Sequence, residues 1–439
     1  MVDGRPARPP SGVLTRAAAF LLGALLAAGA LGAQARPEIA AVGEQATAAY
    51  RAKDFPAFLA HSRQLLALDR RSIRARYNLA CALALNGRAG EATDVLRVLA
   101  DMDLAFDLEA DTDLASLASR PGFQAVVARM KALDAPRGSA AVAFTLPEPE
   151  LITEGIAHDP RTGAFFVSSV RRRKVVRIAR DGAVTDFTKD REPRLLGVSA
   201  LALDPQRRAL WASSAASAAM EGFEAARAER SFVVELDLDS GQERRRLSPP
   251  EDAPDGELGD LAVSAAGDLY VSDPATGRVY VCRAGDDRLR VLVPPGHIRS
   301  AQGLAMAPDG TLFVADYGQG IAVVDTRTGA LRLLDAPPLM ALTGIDGLVW
   351  ADGALVGIQN GIRPHRVVRL DLDRALGRVT RLRILVMNHP DFDEPTLGVV
   401  VDRDLYFIAN SQYRRVGRDG TLDREHLRRP VVLRARVGG

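Results

Sequence analysis

The chain has 439 residues, 47% of them apolar and 26% charged, with a net charge of +2. That length accommodates two or three domains. The near-neutral balance, the 5% aromatic share and the presence of only Trp211 and Trp350 argue against a chain that grips nucleic acid by charge and stacking.

In chain order, the first element is an export address. Arg5, Arg8 and Arg16 precede the uncharged run "AAAFLLGALLAAGALGA", which closes on Ala33-Gln34-Ala35. A basic start, a short apolar stretch and small residues at a cleavage point make a secretory signal peptide. Residues 1–35 are therefore expected to be removed, giving a periplasmic or secreted product. No later stretch is uncharged over the roughly 30 Å of a bilayer core, so no membrane span is expected after cleavage.

Residues 36–133 carry helical periodicity without strand alternation. A self-shift of 34 residues puts Asp54 on Arg88, Leu65 on Leu99 and Asp69 on Asp103. With Tyr77-Asn78-Leu79 opening a helix, Gly87 at the turn and Ala92 at a helix crossing, this segment resembles the tetratricopeptide repeats. Its first copy is looser, with Lys53 for the turn glycine and Phe58 for the small alanine. "ADTDLASLASRPGFQAVVARM" reads as a capping pair whose last helix starts at Pro121. The resemblance implies a small α-helical repeat domain that docks a protein partner or braces its neighbour. Residues 134–140, "DAPRGSA", read as the linker. Cys81 and Cys282 fall in an apolar helix and an apolar strand of different domains, and are read as two buried thiols.

Residues 141–439 repeat one unit six times. Apolar triplets begin at Ile156, Leu201, Leu261, Leu304, Leu348 and Val399. Each is followed by a polar turn and a second strand, such as "AFFVSS", "LYVSD" or "LFVAD". Short strands at this period, with no helix between most of them, predict an all-β six-bladed propeller. The strand "SAAVAFTLP" ahead of the first unit is expected to complete the last blade and close the ring. A propeller closed in this way is expected to fold without the helical domain.

The innermost strand of a blade starts at the mouth of the central channel. The residues just before these strands are Glu154, Ser199, Gly259, Gln302, Asp346 and Leu397, with Asp260 following Gly259. Loops between second and third strands return to the same face, carrying Asp273, Asp316, Asn360, His365 and Asn410 to the rim. Oxygen donors in such a ring suit a hard divalent cation, although aspartates there also cap tight turns. His158 falls mid-strand and is read as packing between blades. No G-x-S-x-G, phosphate loop or zinc cluster is present. "SAASAAMEGFEAARAERS", residues 214–231, reads as a helical lid over the mouth.

Residues 141–439 also resemble the SMP-30/gluconolactonase/LRE-like propellers, relatives of paraoxonase. That family holds a divalent metal at the channel mouth through motifs close to E-G-x, N-D-x, N-G-L and D-G-x. This chain has Glu154-Gly155, Gly259-Asp260, Gln302-Gly303-Leu304 and Asp346-Gly347. The resemblance implies one divalent cation, calcium first, held by Glu154, Gln302 and Asp346. Gly259 offers no side chain, and Asp260 is expected to point to the other side of its strand. Two functions compete. One is a binding module with a degenerate metal site, taking a small molecule or peptide at the mouth and a protein through the helical repeats. The other is a divalent-metal-dependent lactonase or esterase-type hydrolase. The missing ligand at Gly259 tips the expectation toward the first.

Overall fold

A computed structural model describes residues 37–223, 230–253 and 256–438. The expected signal peptide lies outside these residues. So does part of the expected lid, whose described start completes the strand Ala209–Ala215 and then turns.

Among the described residues five α-helices come first: α1 (Pro37–Arg51), α2 (Phe55–Leu68), α3 (Ile73–Leu85), α4 (Ala89–Asp101) and α5 (Pro121–Ala132). Asp54 caps α2 by accepting from the Ala57 N–H at 3.0 Å, and Ser72 caps α3 by accepting from Ala75 at 3.1 Å. The 34-residue register is visible in the backbone. Asp54 and Arg88 are both N-cap residues. Lys53 and Gly87 both take positive φ, 57° and 72°, so the lysine accepts a left-handed turn that glycine makes without strain.

Six antiparallel sheets follow. Their inner strands are Ile156–Asp159, Gly197–Asp204, Leu261–Val263, Ala301–Met306, Ile345–Ala351 and Gly398–Val401. Each inner strand contacts that of the next blade, and the sixth contacts the first. Six apolar clusters fill the wedges between neighbouring blades. Because middle strands are covered on both faces, they read as continuous apolar runs: every residue of Ala209–Ala215 and of Ala354–Gln359 is buried. The ring is closed as the sequence predicts. Ala141–Thr145 pairs antiparallel with Val431–Arg436 as the outermost strand of blade 6, leaving no open edge at the seam.

The segment 134–140 is not a loose tether. Arg137–Gly138 adds a fifth strand to blade 5, Arg137 opposite Met387 and Gly138 opposite Val386. Gly138 has φ 75°, and a Cβ there would lie 1.8 Å from the Leu385 carbonyl oxygen, so only glycine fits. Upstream of it the helices rest on the mouth side of blades 4 and 5. Ala341 and Ile362, both in propeller connections, belong to the helical core cluster. Arg299 pairs with Asp69 at 2.9 Å, and Arg71 donates to the Leu334 carbonyl at 3.0 Å.

Candidate functional site in the propeller channel

The residues that precede the inner strands meet in one place. Glu154, Ser199, Gly259, Gln302, Asp346 and Leu397 all line a cavity of about 270 Å³ at the channel mouth, together with Asp260, Glu257, Thr396 and Tyr413. Val170, Ala215, Leu258 and Pro274 add apolar wall. Among the described residues that line it, none is basic.

Glycines make this convergence possible. A Cβ on Gly155 would lie 2.5 Å from the Ser199 carbonyl oxygen of blade 2. One on Gly303 would lie 2.4 Å from the Leu348 nitrogen of blade 5, and one on Gly347 2.5 Å from the Thr396 oxygen of blade 6. The glycine after each of Glu154, Gln302 and Asp346 thus lets backbone meet backbone between blades, which keeps the ring narrow at the level of the donors. In blade 3 the order is reversed. Gly259 comes first, and Asp260 occupies the position that faces the next blade.

That reversal decides where Asp260 points. Its Oδ2 accepts from the Leu304 N–H of blade 4 at 2.8 Å, so the carboxylate spans the gap that glycine closes elsewhere, and it lines the cavity. Asp260 thus points to the side of its strand opposite the Gly259 position, as strand alternation predicts, with its carboxylate in the blade-to-blade gap.

Asp346 and Glu154 also have polar side chains beside them. Asn360 donates from Nδ2 to Asp346 Oδ2 at 2.6 Å, and its Oδ1 accepts from the Tyr317 hydroxyl at 2.8 Å. The Tyr413 hydroxyl lies beside Glu154 and favours its ionised form. The Gln302 amide N–H donates to Ser300 at 3.1 Å, which turns its carbonyl end away from that contact. Ser199 bonds Ser213 at 2.9 Å.

The electrostatics are those of an acidic hole. Burial, then the Asp346 charge, pushes the Glu154 carboxyl up to about 8, against the Tyr413 hydrogen bond. Burial pushes Asp260 up to about 7, opposed by the Leu304 and Leu261 N–H groups. Burial likewise lifts Asp346 to about 6, opposed by Asn360 and reinforced by Glu394. The charges that act on these three groups are one another and further carboxylates, so near neutral pH they are satisfied by protons or by a cation.

Other rim residues from the sequence reading are placed elsewhere. Asp273 is fully buried, accepting from the Ala275 and Thr276 N–H groups, the Thr276 hydroxyl and the Tyr280 hydroxyl. Asp316 is fully buried under the Arg299 and Gly318 N–H groups. Asn410 bridges the Arg429 carbonyl and the Val431 N–H. These three are turn caps inside the wall, the capping role expected of aspartates there for Asp273 and Asp316 and a correction of the rim assignment for Asn410, because a polar side chain at the end of a buried strand meets unpaired backbone before it meets solvent. His365 is half-buried in the loop under the helices and does not line the cavity; burial lowers its pKa. His158 packs on Phe165 with ring centroids 4.7 Å apart. Glu257 and Tyr413 were missed. Tyr413 follows the second strand of blade 6, so the loop rule that nominated Asn410 also reaches it. Nothing in "GELGD" distinguishes Glu257 from a solvated turn residue.

A second acidic group lies among the helices. Among the described residues, Cys81, Asp111 and Asp113 are the set whose metal-type ligand atoms all lie within 4.8 Å of one another. Tyr77 donates to Asp111 at 2.7 Å and Tyr50 to Asp113 at 3.1 Å, a hydrogen-bond network that ties the helices together. The channel carboxylates are spread wider than that set.

No model of a known protein family matches the chain, and no curated protein matches its sequence. Solved structures do. A calcium-binding protein, regucalcin, from Agrobacterium tumefaciens is 16% identical with a TM-score of 0.47, over 68% of this chain and 95% of that one. A gluconolactonase from Xanthomonas campestris is 19% identical with a TM-score of 0.45, over 69% and 92%. Virginiamycin B lyase from Staphylococcus aureus is 15% identical with a TM-score of 0.44, over 62% and 82%. A fold does not by itself select an activity, so function has to be argued from the channel.

Proposed function

We propose that the protein is a divalent-cation-dependent hydrolase of a small lactone or related ester, acting in the propeller channel. One observation carries this reading: Glu154, Asp260 and Asp346 converge with the Gln302 amide on one cavity that has no basic residue among its described lining. Three carboxylates and an amide oxygen are the donor types calcium takes, with Asp260 as the blade-3 carboxylate; their oxygens do not all lie within 4.8 Å of one another, so the inner strands must draw together for them to share one ion. A cation held there would polarise a substrate carbonyl.

The chain's own groups do the rest. The Leu304 N–H and Asn360 hold Asp260 and Asp346 in place, and Tyr413 stands beside Glu154. Val170, Ala215, Leu258, Pro274 and Leu397 give the hydrocarbon part of a small substrate a dry wall. Glu257 projects into the same space and is the group placed to accept the proton of an attacking water. Water then adds to the carbonyl carbon, the ring C–O bond breaks, and the proton passes to the leaving oxygen to give a hydroxy acid. The signal-like residues 1–35 support action outside the cytoplasm. Among the described residues no helix is long and apolar enough to cross a membrane.

The alternative is a binding module without turnover. The engagement of Asp260 by Leu304 favours it, since that oxygen is already used. One experiment separates the two. Full-length protein is melted in chelator and in calcium, and assayed against small lactones in both. At about 100 times the dissociation constant, calcium adds about 2.7 kcal/mol. The variant Glu154→Gln/Asp346→Asn is expected to lose both the melting shift and the turnover. A calcium shift without turnover leaves the binding module. A melt indifferent to calcium removes the cation from the site.

A further inference from the structure

A loop of blade 5 ties the helical domain to the channel site. Residues 360–365 join the second and third strands of blade 5, Ala354–Gln359 and Arg366–Leu372. At the start of this loop Asn360 holds Asp346 at 2.6 Å and is itself held by Tyr317 at 2.8 Å. Two residues later Ile362 is buried in the helical core cluster, among residues that include Leu104 and Phe106. The Arg363 carbonyl accepts from the Ala105 N–H at 2.8 Å.

The far end of the loop is fixed by the same helical segment. Arg366 is 1% exposed. Its Nε donates to Gln359 at 2.7 Å, while its Nη1 reaches the Met102 and Asp103 carbonyls at 3.4 Å. The middle has no slack. The Gly361 N–H donates to the Gly344 carbonyl at 3.1 Å, and a Cβ at 361 would fall 2.5 Å from the Tyr317 ring and 2.6 Å from Gly344. A surface loop of this kind is ordinarily mobile. Here its tip is a core residue of another domain.

We propose that the helical domain positions the channel site, by clamping loop 360–365 so that Asn360 stays bonded to Asp346. Ile362 and Ala105 are then positioning residues: they touch no ligand, and act through Asn360. A propeller that closes on its own strand does not need the helices to complete its sheets, but its Asp346 needs them to keep its donor. The proposal rests on the channel reading above only for its effect on cation affinity.

The test uses full-length protein and calcium as the probe. Residues that orient a metal ligand typically change affinity on the order of tenfold or more. Ile362→Ala and Asn360→Ala are each expected to weaken calcium binding by about that factor in calorimetric titration, and their combination to weaken it no further. Ile362→Val restores most of the packing and is expected to restore affinity. Wild-type affinity in a less stable Ile362→Ala protein, or losses that multiply in the double variant, would overturn the proposal. A second measurement needs no cation. Melting shifts of Ala105→Pro and Asp346→Asn are measured singly and together, since changes at unconnected sites add. Non-additive shifts support the clamp and additive shifts refute it. If the wild type ignores calcium, the cation reading fails, and this cycle still decides the clamp.

Discussion

Glu154, Asp260 and Asp346 are ordinary carboxyls whose setting changes their chemistry. Unfolded, they titrate near 4; folded, they titrate at about 8, 7 and 6. The native state therefore holds more protons than the unfolded chain between about pH 4 and 8, and stability falls as pH rises through that window. Without a cation the melting temperature is expected to decline from pH 5 to 8. Calcium binds the deprotonated groups, so in its presence the decline is expected to flatten, with the largest calcium effect at the alkaline end. Melts across this range in chelator and in calcium measure both. A flat profile in chelator would mean that Tyr413, Leu304 and Asn360 suffice to carry the charges. Glu154→Gln is expected to remove the part of the slope nearest pH 8.

At the scale of the strand, the glycines after the donors are as specific as the donors. Gly303 packs its α-carbon against the backbone of blade 5, where atoms 2.4 and 2.5 Å from a would-be Cβ cannot rotate aside as a side chain can. Gly303→Ala is expected to push blades 4 and 5 apart and cost about 1–3 kcal/mol, the usual range for overpacking. It is also expected to abolish any calcium response, because Gln302 and Asp346 sit on the two strands that separate. A denaturant melt with and without calcium reads both effects. An unchanged melt would show that the inner strands can part to admit a methyl group without cost. The Glu-Gly, Gln-Gly and Asp-Gly pairs were legible as a motif, but the packing reason for the second letter was not, since it lies in the neighbouring blade.

At the scale of the whole molecule, the helices and the propeller share an interface, the bracing contact that the sequence offered as one of two roles for the helical domain. A chain beginning at Ser139 keeps Ala141–Thr145 and so can still close the ring. It loses the cover over Ile362 and Ala341 and the carbonyl partners of Arg366. That chain is expected to fold, to melt below the full-length protein, and to bind a hydrophobic dye that the full-length protein does not. Calorimetry and dye fluorescence check this. A melt equal to that of the intact propeller transition would make the helical domain an independent appendage.

The sequence alone determined the blades, because period-two strands covered on both faces leave apolar triplets and turn residues at every repeat, and a six-fold repeat needs no long-range knowledge to count. It also determined which residue of each blade stands at the mouth, since strand direction fixes that from the register. Position along a strand does not say what lies across the gap. Whether Asp260 met a partner across the gap, whether Asp273, Asp316 and Asn410 capped backbone instead of facing solvent, and whether Glu257 and Tyr413 joined the site were decided by what packs around them. The hold of Ala105 and Ile362 on Asn360 joins segments more than 250 residues apart, and only packing brings them together.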